Sequence, residues 1–288
     1  MISKILVTGA TGKLGKNTLD HLLRRRPARD LAGLARDPEK AAELVAQGVD
    51  VRRGDYSDYP SLLQAFAGVE KLLLISTHAF TDRETQHANV IHAAKQVGVK
   101  HVLYNPVIQK PGSTFDLVRV TEADRFTVDL LKKSGLDYTV VAQPPFIESF
   151  EFFVGDALSA GVRVPAGDGK AAPASRDNLA EAQAVILTSS GHENKTYNLT
   201  GGPALSFADI AGILSEVNAK QIAYVPLSEQ EYLDGKVASG LPQPVAEFAL
   251  GWARGVNSGE WSVETGDLER LIGHPPTTPA EFYKQSLT

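Results

Sequence analysis

The chain has 288 residues, of which 43% are hydrophobic and 22% charged, with a net charge of −5 at pH 7. These values are typical of a globular protein, and no basic excess favours nucleic acid or an anionic membrane surface. Cysteine is absent, which excludes disulfides and thiolate chemistry. With no signal-peptide pattern and no apolar run long enough to cross a membrane, we expect a cytoplasmic protein.

Short apolar strands alternate with helices along the first half of the chain. Strands apolar on both faces, alternating with helices, indicate an α/β fold with a parallel sheet covered on both sides. Several of the helices are predicted to end at a glycine, which suits a left-handed cap. Strands are predicted at 5–7, 31–35, 49–52, 71–76, 101–104 and 138–141, and helices at 16–25, 38–47, 59–67, 84–97 and 122–134.

The alternation of strands and helices becomes less regular after the proline pair at 144–145. We therefore predict a first domain of residues 1–145 and a smaller α/β lobe of residues 146–288, with the chain crossing between them. Residues 157–169 are rich in glycine and are predicted to form a loop. In the rest of the lobe, helices are predicted at 178–188 and 206–217, with Ser206 as N-cap, and strands at 196–199 and 221–225.

A glycine-rich loop follows the first strand and precedes the first helix. Gly9 permits a tight turn, Gly12 lets the backbone approach a pyrophosphate, and Gly15 allows the helix to pack closely on the strand. The N-terminus of the helix then offers free N–H groups to phosphates. This placement predicts a Rossmann-type domain that binds a nicotinamide cofactor through Gly9, Ala10, Thr11, Gly12, Lys13, Leu14 and Gly15.

The end of the second strand distinguishes NADPH from NADH. A carboxylate there would bind the ribose 2′-hydroxyl, but the strand ends on Arg36, whose guanidinium suits a 2′-phosphate. Lys13 adds a second positive charge, whereas Asp37 opposes this interpretation. We predict NADPH, with NADH as the less favoured cofactor.

Further cofactor contacts are expected where later strands end, because this fold binds ligands at the carboxyl ends of its strands. The first two of these residues are expected near the adenine and the last three near the nicotinamide. The residues are Asp55, Tyr56, Ser76, Thr77, Tyr104, Asn105 and Pro106.

Motifs for other chemistries are missing. The Tyr-x-x-x-Lys pair of ordinary short-chain dehydrogenases occurs only as Tyr232 and Lys236, outside the strand–helix units, and we interpret it as coincidence. No G-x-S-x-G elbow occurs, and no histidine spacing predicts a metal site. Hydride transfer to a quinone or a cationic dye needs little beyond positioning. Tyr104 is the candidate catalytic residue where a proton or hydrogen-bond donor is needed, and packing against the cofactor is the alternative.

Residues 146–153 contain four phenylalanines and two glutamates. This composition is typical of an amphipathic segment packed on the main domain, and equally of the aromatic wall of a substrate pocket. We predict Phe146, Phe150 and Phe153 as substrate contacts.

Six sequence blocks together resemble the NmrA-like branch of the atypical short-chain dehydrogenases, and within it the NADPH quinone oxidoreductases of type 2 and the triphenylmethane reductases. The resemblance implies two lobes, NADPH bound by Gly9 to Gly15 and Arg36, and a cleft for a quinone or another small aromatic substrate. We expect a monomer or a homodimer. The blocks are TGATGKLG, ARDPEKA, RRGDYSD, GVEKLLLIS, QHANVIHAAKQVGVKHVLY and GHENKTYNLTG.

Besides the loop 107–115, two stretches depart from the family's usual pattern, and both are predicted to lie beside the nicotinamide and the substrate cleft. Thr127-Val128-Asp129 replaces a T-E-K pattern, and residues 142–145, beginning at Ala142, replace an Arg-Asn pair. The leading hypothesis is an NADPH-dependent reductase of quinones or other conjugated aromatics. The alternatives are a redox sensor that holds NADP(H) without turnover, and an oxygenase or cyclase of aromatic natural-product biosynthesis.

Overall fold

A computed structural model describes residues 4–285 of the chain. Its strands are β1 (Lys4–Val7), β2 (Leu31–Ala35), β3 (Asp50–Arg53), β4 (Val69–Leu74), β5 (His101–Tyr104), β6 (Asp137–Ala142), β7 (Val162–Val164), β8 (Lys170–Ala171), β9 (Lys195–Asn198), β10 (Leu205–Ser206) and β11 (Tyr224–Pro226).

The helices fall between these strands and after the last of them. Short 3-10 turns occupy Ala28–Asp30, Pro38–Ala41 and Ile147–Ser149. The helices are α1 (Lys13–Leu23), α2 (Ala42–Ala46), α3 (Tyr59–Ala65), α4 (Arg83–Gln96), α5 (Thr121–Ser134), α6 (Phe150–Val154), α7 (Ala157–Ala160), α8 (Arg176–Thr188), α9 (Phe207–Asn218), α10 (Glu229–Ala238), α11 (Gln243–Asn257), α12 (Asp267–Ile272) and α13 (Pro279–Gln285).

The main sheet has seven parallel strands in the order β3-β2-β1-β4-β5-β6-β9. Every residue of β2 is buried, as expected for a strand covered on both faces. Buried leucines of α1 and α8 pack on one face of the sheet, and residues of α3, α4 and α5 pack on the other. The predicted Rossmann-type fold is confirmed.

The outer strand of this sheet comes from the second half of the chain. β9 lies beside β6, with Val141 opposite Tyr197, and α8 packs along α1. Between these helices, the Thr18 hydroxyl contacts Gln183 Oε1 at 2.9 Å. Residues 176–198 therefore belong to the same sheet and helix layer as the first half of the chain. The domain boundary at residue 145 remains a prediction.

The remaining residues form a smaller lobe. It contains two two-stranded sheets, β7 with β11 and β8 with β10, together with α9, α10, α11 and α13. The prediction of a loop over 157–169 was wrong, because α7 and β7 lie there. β7 buries Val162 and Val164 and pairs with β11, a partner so distant along the chain that local sequence cannot reveal it. Ser206 is confirmed as N-cap of α9, within a capping box with Asp209.

Most predicted helix boundaries lie within two residues of the observed ones, and two helices differ by more. Helix α1 begins at Lys13 rather than at residue 16, so its first turn directly follows Gly12. The predicted helix at 38–47 is split into a 3-10 turn and the short helix α2. Within residues 4–285, no helix is long and apolar enough to cross a membrane.

Candidate functional site

A groove of about 320 Å³ lies over the carboxyl ends of β1, β2, β3 and β4. We call it the cofactor groove. It contains most of the residues predicted to contact the cofactor, because parallel strands present their carboxyl ends at one edge of the sheet. Its lining includes Gly9, Thr11, Gly12, Arg36, Asp55, Tyr56, Ser76 and Thr77.

The glycine loop has the geometry that a bound pyrophosphate needs. Gly9 adopts φ +59°, in the left-handed region that favours glycine. A Cβ on Gly15 would lie 2.3 Å from the Gly9 carbonyl oxygen, so α1 approaches the loop closely only because this residue is glycine. Gly12 is the N-cap of α1 and supplies no side-chain cap. The first-turn N–H groups are thus left for an anion, and these residues fit a dinucleotide.

Arg36 lies on the groove, and its acidic neighbour is engaged elsewhere. The Asp37 carboxylate accepts a hydrogen bond from the Glu39 N–H at 3.3 Å and lies 3.7 Å from Lys40 Nζ. Asp37 is therefore the cap of the 3-10 turn at Pro38–Ala41. Because this carboxylate is already paired, it competes little with a phosphate for the Arg36 guanidinium.

A second space of about 480 Å³ adjoins the groove, and we call it the inner cavity. The two spaces share the wall formed by residues 75–78. Leu14, Asn105 and Pro106, three of the predicted cofactor contacts, line the inner cavity. Ala10, Lys13, Gly15 and Tyr104 are absent from the lining of both spaces.

Aromatic side chains form the far wall of the inner cavity. Phe146 and Phe153 line it as predicted. The placement predicted for Phe150 was wrong, because its ring is buried and packs on Phe207 with 5.1 Å between ring centroids. Phe152, which belongs to the predicted aromatic segment 146–153, also lines the cavity. Phe248 and Trp252, which no sequence pattern indicated, complete the wall.

Tyr104 has no access to either space. Its side chain is fully buried, and its hydroxyl donates to the Asp124 carboxylate at 2.6 Å. Burial, helped by the Asp124 charge, raises the pKa of Tyr104 well above its usual value. Arg83 forms a buried ion pair with the same carboxylate. The prediction of Tyr104 as direct donor to substrate therefore needs correction, since this hydroxyl supports the wall from behind.

His87 supports the wall formed by residues 75–78. The spacing of the histidines in the sequence did not indicate this role. Its Nε2 accepts a hydrogen bond from the Thr77 N–H at 3.1 Å. Its Nδ1 donates to the Thr127 hydroxyl at 2.8 Å, because that hydroxyl donates onward to the Ala123 carbonyl. Burial, followed by the charge of Arg83, lowers the pKa of His87 to about 3. A neutral His87 thus fixes Thr77 at the junction of groove and cavity.

The two stretches that depart from the family pattern differ in position. Residues 143–145 line the inner cavity, beside the buried Ala142. Val128 and Asp129 line neither space, so the prediction placing them beside the nicotinamide was wrong. On α5 the residues turned toward the site are Asp124, through Arg83, and Thr127, through its bond to His87.

Tyr232 and Lys236 do not form a catalytic pair. The Tyr232 side chain is buried, and Lys236 Nζ donates to the Phe152 carbonyl at 2.6 Å. The ammonium group also lies 5.1 Å from the centre of the Phe152 ring. Lys236 therefore ties α10 to the segment that carries the aromatic wall.

A parallel sheet with a glycine turn, an uncapped helix N-terminus and a groove across its carboxyl edge defines a dinucleotide-binding protein of the Rossmann type. Residues 9–190 match the NAD(P)H-binding family model, and the chain belongs to this family. The predicted NmrA-like membership and nicotinamide cofactor are confirmed.

Relatives and solved structures agree over nearly the whole chain. Quinone oxidoreductase 2 of Escherichia coli is 38% identical over 96% of each chain. The crystal structure of this NADPH-dependent enzyme with NADPH superposes with a TM-score of 0.93 over 99% of this chain and 100% of the other, at 36% identity. Triphenylmethane reductase of Citrobacter sp. gives 0.92 over 99% of both chains, at 37% identity. An NmrA-like family domain-containing oxidoreductase of Aspergillus flavus is 30% identical over 99% of this chain and 95% of its own.

Proposed function

We propose that the protein is an NADPH-dependent reductase that transfers a hydride to a quinone or a related conjugated aromatic compound. Its family makes it an NAD(P)H-dependent oxidoreductase. The observation that carries the choice of substrate is the inner cavity, which adjoins the cofactor groove and is walled by aromatic rings. Such walls stack well on flat conjugated molecules.

The residues of this chain bind the cofactor and orient the acceptor beside it. The free N–H groups after Gly12 hold the pyrophosphate, and Arg36 holds the 2′-phosphate. Thr77, fixed by His87, lies where the groove opens into the cavity. When bound, the reduced nicotinamide supplies the hydride, while the proton that completes the hydroquinone comes from solvent. The aromatic wall stacks on the ring of the acceptor and fixes its orientation.

The charges around the inner cavity favour neutral or anionic substrates. Its lining, within the described residues, includes Arg83 and Arg176 and no aspartate or glutamate. Arg83 is paired with Asp124 behind the wall. The Arg176 guanidinium lies 4.8 Å from the centre of the Phe146 ring, and its nearest paired carboxylate, on Glu148, is 3.9 Å away. Arg176 is thus the cation placed to meet a substrate sulfonate or carboxylate.

The test follows NADPH absorbance at 340 nm with 1,4-naphthoquinone, its 2-sulfonate and a cationic triphenylmethane dye. We expect one NADPH consumed for each hydroquinone formed, with a lower KM for the sulfonate. Arg176→Gln should remove the advantage of the sulfonate and leave the neutral quinone unchanged. Tight NADPH binding without reduction of any quinone or dye would overturn the proposal and favour the redox-sensor hypothesis.

A further inference from the structure

Gln143 carries a buried hydrogen-bond donor with no partner among residues 4–285. It follows β6, lines the inner cavity and is 4% exposed. Its backbone is fully bonded, since its N–H donates to the Pro106 carbonyl and its carbonyl accepts from Ile108, both at 2.9 Å. The side-chain Nε2, however, finds no acceptor among the described residues. An unsatisfied buried donor costs free energy, so its retention in a cavity wall points to a ligand.

A chain of hydrogen bonds fixes which end of the Gln143 amide is free. The Ser76 backbone N–H can only donate, and it donates to Asn105 Oδ1 at 3.0 Å. Asn105 must then present its Nδ2, which donates to Gln143 Oε1 at 3.4 Å. Because Oε1 is the accepting end, the free end of Gln143 is the Nε2 donor.

We propose that Gln143 Nε2 donates a hydrogen bond to the quinone oxygen that gains negative charge during reduction. This inference rests on the proposed function. The hydride forms an O–H bond at one quinone oxygen, and an electron pair moves through the conjugated ring onto the opposite oxygen. That opposite oxygen is left as a phenolate beside Gln143 and later takes a proton from solvent, which completes the hydroquinone. A fixed donor at that oxygen stabilises the charged transition state more than the neutral substrate.

A second unpartnered donor lies in the same wall. Arg83 is 6% exposed, lines the inner cavity, and its Nε has no acceptor among the described residues. Its other nitrogens are held by the Thr77 carbonyl and the Asp124 carboxylate. The guanidinium therefore adds positive charge at a fixed position, and Gln143 supplies the directed N–H.

The test compares Gln143→Leu, which removes the donor, with Gln143→Glu, which replaces it with an acceptor. For 1,4-naphthoquinone we expect kcat to fall on the order of 10- to 100-fold in the leucine variant and further in the glutamate variant. Reduction of the cationic triphenylmethane dye, a hydride acceptor without a carbonyl group, should slow far less in the leucine variant than reduction of 1,4-naphthoquinone does. The dissociation constant of NADPH should not change.

A binding measurement keeps the inference separate from turnover. Calorimetric titration of 1-naphthol into the NADP⁺ complex should show about tenfold weaker binding to Gln143→Leu than to wild type. Gln183→Leu is the control, because Gln183 is also a buried glutamine but lies at the α1–α8 contact, beside the Thr18 hydroxyl and away from both spaces. It should lower stability without changing kcat or naphthol affinity.

Three results would overturn the inference: equal loss of rate on naphthoquinone and the triphenylmethane dye, unchanged naphthol affinity in Gln143→Leu, or a weakened NADPH complex with unchanged quinone turnover. The last of these results would show that Gln143 Nε2 donates to the cofactor and not to the quinone. If the wild-type protein reduces no quinone, the proposed function fails. The naphthol titration then decides alone whether Gln143 binds an aromatic oxygen.

Discussion

We expect selection between NADPH and NADH to depend on the side chain of Arg36. It lines the cofactor groove, and Asp37 is turned into the cap of the following 3-10 turn. Arg36→Ala should weaken NADPH binding by about 10- to 100-fold, since a charge-assisted hydrogen bond contributes roughly 1.5–3 kcal/mol, and should leave NADH binding almost unchanged. Fluorescence titration of both cofactors measures this. Arg29→Ala, at an exposed arginine outside both spaces, is the control.

His87 should make stability depend on pH. Its pKa is about 3 in the folded protein, below the value near 6.5 of an unfolded histidine. As pH falls below 6.5 the unfolded chain gains this proton first, so the folded state loses stability. At pH 5.5 the loss from this one group is about 1.4 kcal/mol relative to pH 8.

Urea unfolding of wild type and His87→Gln at both pH values checks this prediction. Glutamine can still accept from the Thr77 N–H and donate to Thr127, so the variant should fold. The fall in unfolding free energy between pH 8 and 5.5 should be smaller in the variant. An identical fall in the two proteins would show that His87 is protonated in the folded state.

The sequence predicted the site residues that depend on local order along the chain. Gly9, Gly12 and Arg36 follow from the strand–turn–helix pattern and the end of β2, and all three line the groove. The prediction that Tyr104 donates directly to substrate failed, because the sequence pattern locates the end of a strand but not the face of the sheet on which a side chain lies. Its ring belongs to the buried cluster under α4 and α5.

Other site residues depend on packing between distant segments. Trp252 reaches the inner cavity from α11, and Gln143 matters through a chain of amide contacts with Asn105 and Ser76. Trp252 has no local signature because its helix belongs to the smaller lobe, far along the chain from the glycine loop. Gln143 has none because its hydrogen-bond partners follow other strands of the sheet. Such contacts follow from the fold and cannot be read from spacing.

At the scale of elements, the fit of α1 against the glycine loop sets the shape of the groove. In Gly15→Ala the new Cβ would lie 2.3 Å from the Gly9 carbonyl oxygen and 2.9 Å from its carbon. The helix or the loop must shift, so we expect a loss of about 1–3 kcal/mol in unfolding free energy and weaker binding of NADPH. Urea denaturation and cofactor titration measure the two effects.

Gly212→Ala is the matched control for that substitution. Gly212 lies inside α9, and a Cβ there would meet no atom within 4 Å. Alanine should stabilise α9 by up to about 1 kcal/mol, through its higher helix propensity. A destabilised Gly212→Ala protein, or an unaffected Gly15→Ala protein, would contradict this account of the two glycines.

The strand pattern predicted β1 to β6 and the parallel sheet, because apolar strands alternating with helices have few other solutions. It did not predict where β9 would pair. A strand of four residues, Lys195–Asn198, carries too little information to choose between a local hairpin and an edge of the main sheet. The short strand β7 escaped prediction for the same reason.

At the scale of the whole molecule, the first half of the chain should not be stable alone. A fragment of residues 1–145 would leave β6 as an unpaired edge and would expose the leucines of α1 that α8 covers. We expect it to aggregate on expression, whereas a fragment of residues 1–200 should be more soluble. Solubility and circular dichroism of the two fragments test this. A folded, monomeric 1–145 fragment would support a domain boundary at residue 145.

The position of α8 and β9 also limits how this enzyme can be recombined with its relatives. The unit that binds cofactor is discontinuous, because it combines residues 4–142 with residues 176–198. A single crossover at residue 145 would join a sheet from one parent to an edge strand and a covering helix from another. A functional chimera therefore needs two crossovers that exchange the segment between β6 and α8. That segment carries Gln143 and Phe146, whereas Arg176, Phe248 and Trp252 lie outside it. Under the proposed function, we expect such an exchange to change part of the acceptor site and to leave Arg36 in place.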